Sequence, residues 1–224
     1  MNENLKELCL AFEQMDTASV SDALDRLGII GGLYHIAPVV KGTGKKVCGP
    51  AFTVHYIPVG QTKKTVGDFL DDVEAGMIVV IDNCGRDYCT VWGDIMSTYA
   101  AMKGVAGTVI DGVCRDVKLI HEIGYPIYTK GTYMVTGKDR VGVDAVNIPV
   151  SVSGVQVRPG DLVLCDDNGA VVIPAERAEE VLQVAREIEE KESKIMRALK
   201  DGSTLKDARA KNGYHTLQTR QKTN

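Results

Sequence analysis

The chain has 224 residues, enough for one large domain or two small ones, and its 44% hydrophobic and 25% charged residues are the balance of a globular protein. A formal net charge of −4 argues against a nucleic-acid-binding protein that works by bulk electrostatics, and three Phe and one Trp offer little for base stacking. The sequence has neither an apolar run of about 18 residues nor a signal peptide, which predicts no membrane span and a cytoplasmic location.

The first elements are two predicted helices. Apolar residues recur at helical spacing at Leu5, Leu8, Cys9 and Phe12. A second short helix is predicted over residues 17–27, with Thr17 or Ser19 as its N-cap and Gly28 at its end.

A glycine-rich, basic segment over residues 31–49 leads into a predicted strand over residues 51–59. The Gly-Thr-Gly-Lys stretch at 42–45 lacks the spacing of a phosphate-binding loop and opens no helix. His55 lies within the strand as a single histidine. Because metal ligands come in clusters, a packed or surface role is the more common explanation.

Strands and helices then alternate. The pattern predicts a helix over residues 66–75, a buried strand over 77–82, a loop over 83–90 that contains an Arg86-Asp87 pair, and a helix over 92–103. A second buried strand (105–113), a short helix (117–123) and a third strand (126–130) follow, which is the rhythm of a parallel α/β sheet.

The pattern changes after residue 141. Period-two alternation over residues 141–174, with turn signals at 159–160 and 167–169, predicts a small antiparallel or barrel-like unit. A long amphipathic helix is predicted over 175–199, and the polar tail after Gly202 is expected to be loose. The six cysteines include no CxxC pair; Cys84 and Cys89 lack the second pair or His cluster of a zinc site, so reduced thiols are expected.

Three charged residues stand at the ends of the central apolar segment: Asp94 where a helix opens, and Arg115 and Asp116 where a strand stops. Ligands of parallel α/β folds collect at the carboxyl ends of strands. An aspartate there suits Mg²⁺ or Mn²⁺, and a neighbouring arginine grips a carboxylate through two hydrogen bonds. With the helix amides, these groups would hold an α-keto acid, and the cation would stabilise the enolate left by C–C cleavage.

Simpler explanations exist for each of these residues. On position alone, a surface ion pair at the start of the next helix explains Arg115 and Asp116 more often than a metal site does. An acid such as Asp94 is common at a helix N-terminus for reasons of charge alone.

The segment GDIMSTYAAMKGVAGTVIDGVCRD places twenty residues between Asp94 and Arg115. It resembles the Asp and Arg-Asp motif of divalent-metal pyruvate aldolases that act on 4-hydroxy-4-methyl-2-oxoglutarate and 4-carboxy-4-hydroxy-2-oxoadipate. That family shares its fold with the RraA regulators of ribonuclease E activity. The segments SVSDALDRLG, CGPAFTV and GDLVLCDDNGAVVIP also look like family blocks, so the resemblance covers about residues 17–205.

The resemblance implies an α/β fold, an α-β-β-α sandwich of the swivelling phosphohistidine-domain type, as a single domain over residues 1–224. It further implies homotrimers or homohexamers, with the N-terminal helices (about 4–28) and the C-terminal helix (about 175–200) contributing to oligomer contacts.

Carried over by position, the site would consist of a metal and a carboxylate subsite. Asp116 would bind Mg²⁺ or Mn²⁺, Asp94 would hold the metal through water, and Arg115 would bind the pyruvyl carboxylate and enolate. The amides that complete the anion cradle would be those of Gly93, Asp94, Ile95 and Met96. A glutamate of a neighbouring subunit, Glu192 or else Glu189, would approach the metal.

The activity implied is retro-aldol cleavage of a small oxo acid to pyruvate, with oxaloacetate decarboxylase activity, and without nucleic-acid or membrane partners. The alternative is a non-catalytic RraA-like regulator that binds a ribonuclease or another protein. The RraA branch commonly lacks the aspartate after the arginine, so Asp116 favours the enzyme. A Schiff-base aldolase would need a desolvated lysine, whereas Lys103, Lys118 and Lys130 are expected to be solvated.

Overall fold

A computed structural model describes residues 3–61 and 64–214, and this part of the chain forms helices around one large sheet. The helices are α1 (Glu3–Glu13), α2 (Thr17–Arg26), α3 (Asp94–Met102), α4 (Val117–Ile123), α5 (Ala178–Lys200) and α6 (Leu205–Lys211). The strands are β1 (Ala37–Pro38), β2 (Val47–Pro58), β3 (Ile78–Thr90), β4 (Gly107–Cys114), β5 (Ile127–Thr132), β6 (Val141–Val146), β7 (Val150–Val152), β8 (Val155–Val157), β9 (Leu162–Asp166) and β10 (Gly169–Ile173). No helix within these ranges is long and apolar enough to cross a membrane.

The sheet is mixed, which confirms the predicted α/β class. Strands β2, β3, β4 and β5 are parallel neighbours, and β1 closes one side by pairing antiparallel with β5. On the other side, β2 pairs antiparallel with β9 along its first residues and with β6 along its last. The period-two segment is therefore not a separate unit. Strands β6, β9 and β10 extend the same sheet, whereas β7 and β8 form a separate two-stranded sheet.

Apolar side chains form three clusters. Val79 and Ile81 of β3 pack with Trp92 on one sheet face, which α3 and α4 cover. Val80, between them in sequence, points to the other face and packs under the β7–β8 hairpin. The third cluster joins α1, α2 and α5 to β9 and β10. The single domain and the role of the terminal helices in oligomer contacts stay predictions.

One predicted helix and one predicted helix boundary are wrong. Residues 66–75 contain only a short 3₁₀ helix, Asp68–Asp72, whose N-cap Gly67 has no side chain to cap a longer helix. The next helix begins at Asp94 rather than at Trp92, because Gly93 is extended and Trp92 is buried in the core.

Two segments predicted to be irregular are ordered elements. The expected loop over residues 83–90 is a continuation of β3, with register shifts on either side of Arg86 and positive φ at Cys84 and Gly85. Such bulges break the period-two pattern by which a strand is recognised. After Gly202 the chain forms α6, whose N-cap Thr204 accepts a hydrogen bond from the Asp207 N–H.

The start of α2 is fixed by two aspartates rather than by the predicted caps. Asp16 is the N-cap and accepts the Ser19 N–H at 2.7 Å. Thr17 instead donates its N–H and its hydroxyl to Asp166, at 2.9 and 2.7 Å, and the Asn168 N–H donates to the same buried carboxylate. Burial raises the pKa of Asp166, but the hydrogen bonds from Thr17 and Asn168 outweigh it and lower the pKa below its ordinary value.

Replacing this carboxylate should cost stability in a pH-dependent way. We expect Asp166→Asn to lower the free energy of unfolding by about 1–3 kcal/mol at neutral pH, because hydrogen-bond donors lose a charged acceptor. A depressed pKa contributes stability above the unfolded-state value of about 3.9, and this contribution disappears as the pH falls through the folded-state pKa. Urea titrations should therefore show that the difference in free energy of unfolding between wild type and variant becomes smaller below about pH 4. The exposed Asp72→Asn control should show no such change. A difference for Asp166→Asn that did not depend on pH would contradict the stabilising role of the charged carboxylate.

Candidate active site

The carboxyl end of β4 is joined to the first turn of α3. The Arg115 N–H donates to the Trp92 carbonyl at 3.1 Å. The Trp92 indole N–H donates to the Ser97 hydroxyl at 2.9 Å, and that hydroxyl donates to the Gly93 carbonyl at 2.7 Å. Trp92 also stacks on Tyr125 with ring centroids 6.1 Å apart. A buried aromatic side chain thus fixes where α3 begins relative to the strand end.

Asp116 turns its side chain back towards α3. Its backbone is left-handed, with φ 62° and ψ 37°, a conformation that Asp adopts more readily than most residues with a side chain. Its Oδ2 accepts the Asp94 N–H at 3.1 Å and lies 3.3 Å from the Arg115 Nε. The unusual backbone therefore places a carboxylate between a guanidinium and a helix N-terminus.

Gly93 provides the space for this arrangement. A Cβ at this position would lie 2.6 Å from the Asp116 Oδ2 and 3.2 Å from the Arg115 Nε. The extended backbone of Gly93 suits any residue, so the requirement for glycine here is steric.

Arg115 lies between two cavities. The first, of about 400 Å³, is lined by segments 64–68, 90–96 and 136–138 together with Arg115. The second, of about 350 Å³, is lined by Arg115, Asp116 and Val117 and by residues 132–134. A guanidinium at the wall of both cavities can reach a ligand in either.

The structure brings the predicted residues of this segment together and adds a detail about the amides. The Asp94 N–H donates a hydrogen bond to the Asp116 Oδ2, and the Ile95 N–H donates one to the Asp94 Oδ1 at 2.8 Å. Two of the four amides expected to bind an anion, those of Gly93, Asp94, Ile95 and Met96, are therefore occupied by the chain's own carboxylates. The helix N-terminus already binds negative charge, as its dipole favours.

The two predicted glutamates lie elsewhere in the chain. Glu189 and Glu192 are half-buried on α5 and line neither cavity. Burial and then the Asp16 carboxylate raise the pKa of Glu189; burial, then Asp22 and then Asp16 raise that of Glu192. Their approach to the site from a neighbouring subunit stays a prediction.

The donor set fits the cation implied by the resemblance. Asp94 and Asp116 offer carboxylate oxygens, the hard ligands of Mg²⁺ and Mn²⁺, and the Asp116 carboxylate fills the space left by Gly93, where it accepts the Asp94 N–H. Each carboxylate uses one oxygen in the hydrogen bonds above, which leaves its other oxygen for a cation.

The second Arg-Asp pair of the sequence, Arg86-Asp87, has a structural position in the sheet. Arg86 donates to the carbonyls of Tyr56 and Asn83, at 3.2 and 3.1 Å, and so binds the backbone of its own and the adjacent strand. Asp87 is exposed.

Sequence reasoning missed two cations of the larger cavity. Lys64 and Lys138 line it from loops that carry no motif. Of the three lysines expected to be solvated, Lys118 and Lys130 are exposed, although Lys130 is also ion-paired with Asp111. Lys103 is only partly exposed, and its Nζ donates to the carbonyls of Leu70 and Asp71.

The cysteine nearest the site is unsuited to nucleophilic chemistry. Burial and then the Asp116 charge raise the pKa of Cys114 to about 12. All six cysteines are free, and only Cys84 is exposed.

Comparisons with known proteins agree on one family. A family model described as Aldolase/RraA, RraA-like, matches residues 17–172. The protein DlpA of Legionella pneumophila is 41% identical over 197 residues, 87% of this chain but 32% of DlpA, so the chain spans about a third of that relative. A protein of Halalkalibacterium halodurans, provisionally named 4-hydroxy-4-methyl-2-oxoglutarate aldolase, is 32% identical over 192 residues, 85% of this chain and 87% of that protein.

Solved structures give the same result. An uncharacterized protein from Pseudomonas syringae pv. tomato matches with a TM-score of 0.84 and 44% identity, over 91% of this chain and 97% of that one. Streptomyces coelicolor RraAS2, described as an unusual member of the RNase ES inhibitor RraA protein family, matches with a TM-score of 0.77 and 32% identity, over 84% of this chain and 94% of that one.

The steric role of Gly93 can be measured by a double-mutant cycle. We expect Gly93→Ala to lower the free energy of unfolding by about 1–3 kcal/mol, because the methyl group overlaps Asp116. In an Asp116→Ala background the same substitution should cost less, since the overlapping oxygen is gone. Gly131→Ala is the control, because its Cβ would meet only the Val113 Cγ1, at 3.8 Å. An equal cost of Gly93→Ala in both backgrounds would contradict the geometry.

Proposed function

The chain belongs to the RraA-like family, and we propose that it is a divalent-metal-dependent aldolase that cleaves a 4-hydroxy-2-oxo acid to pyruvate and a second oxo acid. The observation that carries this proposal is the convergence of Asp94, Arg115 and Asp116 around Gly93, where Asp94 lines one cavity, Asp116 lines the other and Arg115 lines both. Relatives named as aldolases support an enzyme of this class. Oxaloacetate decarboxylation would accompany the cleavage, because both reactions leave the enolate of pyruvate.

Arg115 would bind the carboxylate of the oxo acid. Its Nε lies beside Asp116, which leaves the two terminal nitrogens of the guanidinium for a ligand. A planar, permanently charged group with parallel N–H bonds matches both oxygens of a carboxylate and fixes its orientation.

The first turn of α3 would hold the rest of the anion. The amides of Asp94 and Ile95 become available to an oxo acid only when the carboxylates that accept from them turn away. When bound at Asp94 and Asp116, Mg²⁺ or Mn²⁺ supplies Lewis-acid stabilisation of the negative charge that develops on the keto oxygen. We therefore expect affinity for the oxo acid to depend on the cation.

The larger cavity favours a substrate with a second acidic group. Lys64 and Lys138 lie at its wall, and Lys64 is only partly neutralised, by the exposed Asp144 at 2.7 Å. Two cations on the same wall suit the distal carboxylate of 4-hydroxy-4-methyl-2-oxoglutarate or of 4-carboxy-4-hydroxy-2-oxoadipate.

We extend the proposal to a homotrimer or homohexamer that works in the cytoplasm. In that assembly Glu192, or else Glu189, of a neighbouring subunit would approach the cation. Burial first, and then neighbouring carboxylates, raise the pKa of both residues within their own chain, and a divalent cation would stabilise their charged forms.

A second function, that of a regulator that binds a ribonuclease or another protein, is favoured by the likeness to RraAS2. The surface available for such binding includes the acidic side of α5, where Glu179, Glu187 and Glu190 border a groove. Protein that is inert with Mg²⁺ and Mn²⁺ but is retained by an RNA-processing enzyme would support it.

Catalysis can be tested by coupling pyruvate release to lactate dehydrogenase. With Mg²⁺ or Mn²⁺, we expect turnover of oxaloacetate and of at least one member of a panel of 4-hydroxy-2-oxo acids. Excess EDTA should abolish it and re-addition of metal should restore it, because the enolate charge loses its main stabilising group without the cation. Undiminished turnover in chelator would rule out the metal role.

The roles of the charged residues are separable by substitution. Asp116→Asn should abolish the metal-stimulated rate, since an amide replaces the charged ligand. Arg115→Lys should lower kcat/KM at least about tenfold, because the ammonium group of lysine cannot make the two parallel hydrogen bonds of a guanidinium. Asp87→Asn, in the other Arg-Asp pair, is the matched control and should keep the wild-type rate. Wild-type rates in either site variant, or a larger loss in the control, would mean that the wrong pair had been chosen.

A further inference from the structure

Apart from the site around Gly93, a cluster of polar side chains lies on the sheet face opposite Trp92. His55 of β2 is the registered partner of Asp82 of β3, and Asp82 is in turn the partner of Asp111 of β4. Val80, two residues before Asp82, packs under the β7–β8 hairpin, so the Asp82 side chain points to that same face. The Ser151 N–H of the hairpin donates to the Asp82 Oδ2 at 3.2 Å, which confirms the orientation.

Three side chains of metal-binding types, those of His55, Asp82 and Cys84, lie close together here. One ligand atom of each of His55, Asp82 and Cys84 lies within 4.8 Å of the other two. Imidazole nitrogen, carboxylate oxygen and thiolate sulfur are the donors of zinc sites, and three protein ligands leave a fourth position for water. Zinc bonds of about 2.0–2.3 Å place the donors of a tetrahedron about 3.5 Å apart. To bind one ion, the three donor atoms would have to move closer together by on the order of 1 Å. Rotations of the partly exposed His55 side chain and of the exposed Cys84 side chain can provide this movement.

Neighbouring groups orient the donors. The Asp144 Oδ2 lies 3.4 Å from the His55 Nδ1, which fixes the ring and leaves Nε2 for an ion, as carboxylates do for metal-binding histidines. The Cys84 N–H donates to the Asp82 Oδ1 at 2.8 Å, which keeps these two ligands adjacent. Cys84 also borders an open cavity of about 520 Å³, through which an ion can enter from solvent.

Two carboxylates lie among the donors, since the Asp82 Oδ1 accepts the Cys84 N–H and the Asp144 Oδ2 lies beside the His55 ring. A bound cation reverses the local field, and the thiol gives up its proton to solvent as the sulfur–metal bond forms.

We propose that His55, Asp82 and Cys84 form a binding site for a thiophilic divalent cation of the zinc class, separate from the hard oxygen site at Asp94 and Asp116. An ion held there joins β2 to the bulge of β3 and so stabilises the sheet. The proposal does not rest on the aldolase activity, because none of its ligands lines the Arg115 cavities.

The site can be tested with Co²⁺ as a spectroscopic substitute for zinc. We expect metal-free protein, kept reduced with a phosphine, to show a near-ultraviolet thiolate-to-cobalt charge-transfer band that saturates at one equivalent of Co²⁺ bound to the thiol and that Zn²⁺ removes. Cys84→Ser should abolish the band, and His55→Gln should weaken Co²⁺ binding at least about tenfold. Cys89→Ala, which removes a buried cysteine of the same strand, is the matched control and should keep the band, as should Asp116→Asn.

Thermal unfolding gives an independent readout. Zn²⁺ should raise the Tm of wild type and of Cys89→Ala by more than it raises that of Cys84→Ser, because the variant loses the part of the shift that comes from an ion bound through this thiol. No charge-transfer band in wild type, a band that survives Cys84→Ser, or an equal rise in Tm in that variant would overturn the proposal.

Discussion

The candidate site depends on the connection between the end of β4 and the start of α3. The Arg115 N–H binds the Trp92 carbonyl, and the Asp94 N–H binds the Asp116 carboxylate, so the two chain segments are linked in both directions. Trp92 fixes this connection from within the core through Ser97 and Tyr125. The charged groups are therefore held by buried packing, which lets them keep their relative positions although they are half-exposed.

The same connection explains how negative charge is balanced there. The Asp116 carboxylate sits where a substrate anion would sit, on a helix amide and beside a guanidinium. A cation that attracted this carboxylate would uncover those positive groups for an oxo acid, so binding of the cation and binding of the anion would favour each other. The left-handed backbone of Asp116 costs energy in most contexts, and such conformations concentrate at functional sites.

Much of this could be predicted from the sequence because the informative patterns are local. The apolar runs of β3 and β4 and the spacing between Asp94 and Arg115 predicted a parallel sheet with charged residues at a strand end, and the family comparisons confirmed the fold. The extension of β3 through residues 83–90 could not be predicted, because its bulges and positive φ angles mimic a loop. The cluster around His55 was missed for a different reason: its ligands come from two strands, and only the sheet register makes them neighbours. Lys64 and Lys138 are brought to the cavity by loops whose course no short-range pattern records.

If Asp116 holds a hard divalent cation within reach of an anion on Arg115, crystals of the protein with Mn²⁺ and oxalate, a planar analogue of the pyruvate enolate, should reveal it by anomalous scattering. We expect a manganese peak at the Asp116 carboxylate, turned away from the Asp94 N–H, with an oxalate carboxylate on the Arg115 guanidinium. Manganese bound elsewhere, with Asp116 still on the Asp94 N–H and no oxalate at Arg115, would contradict it.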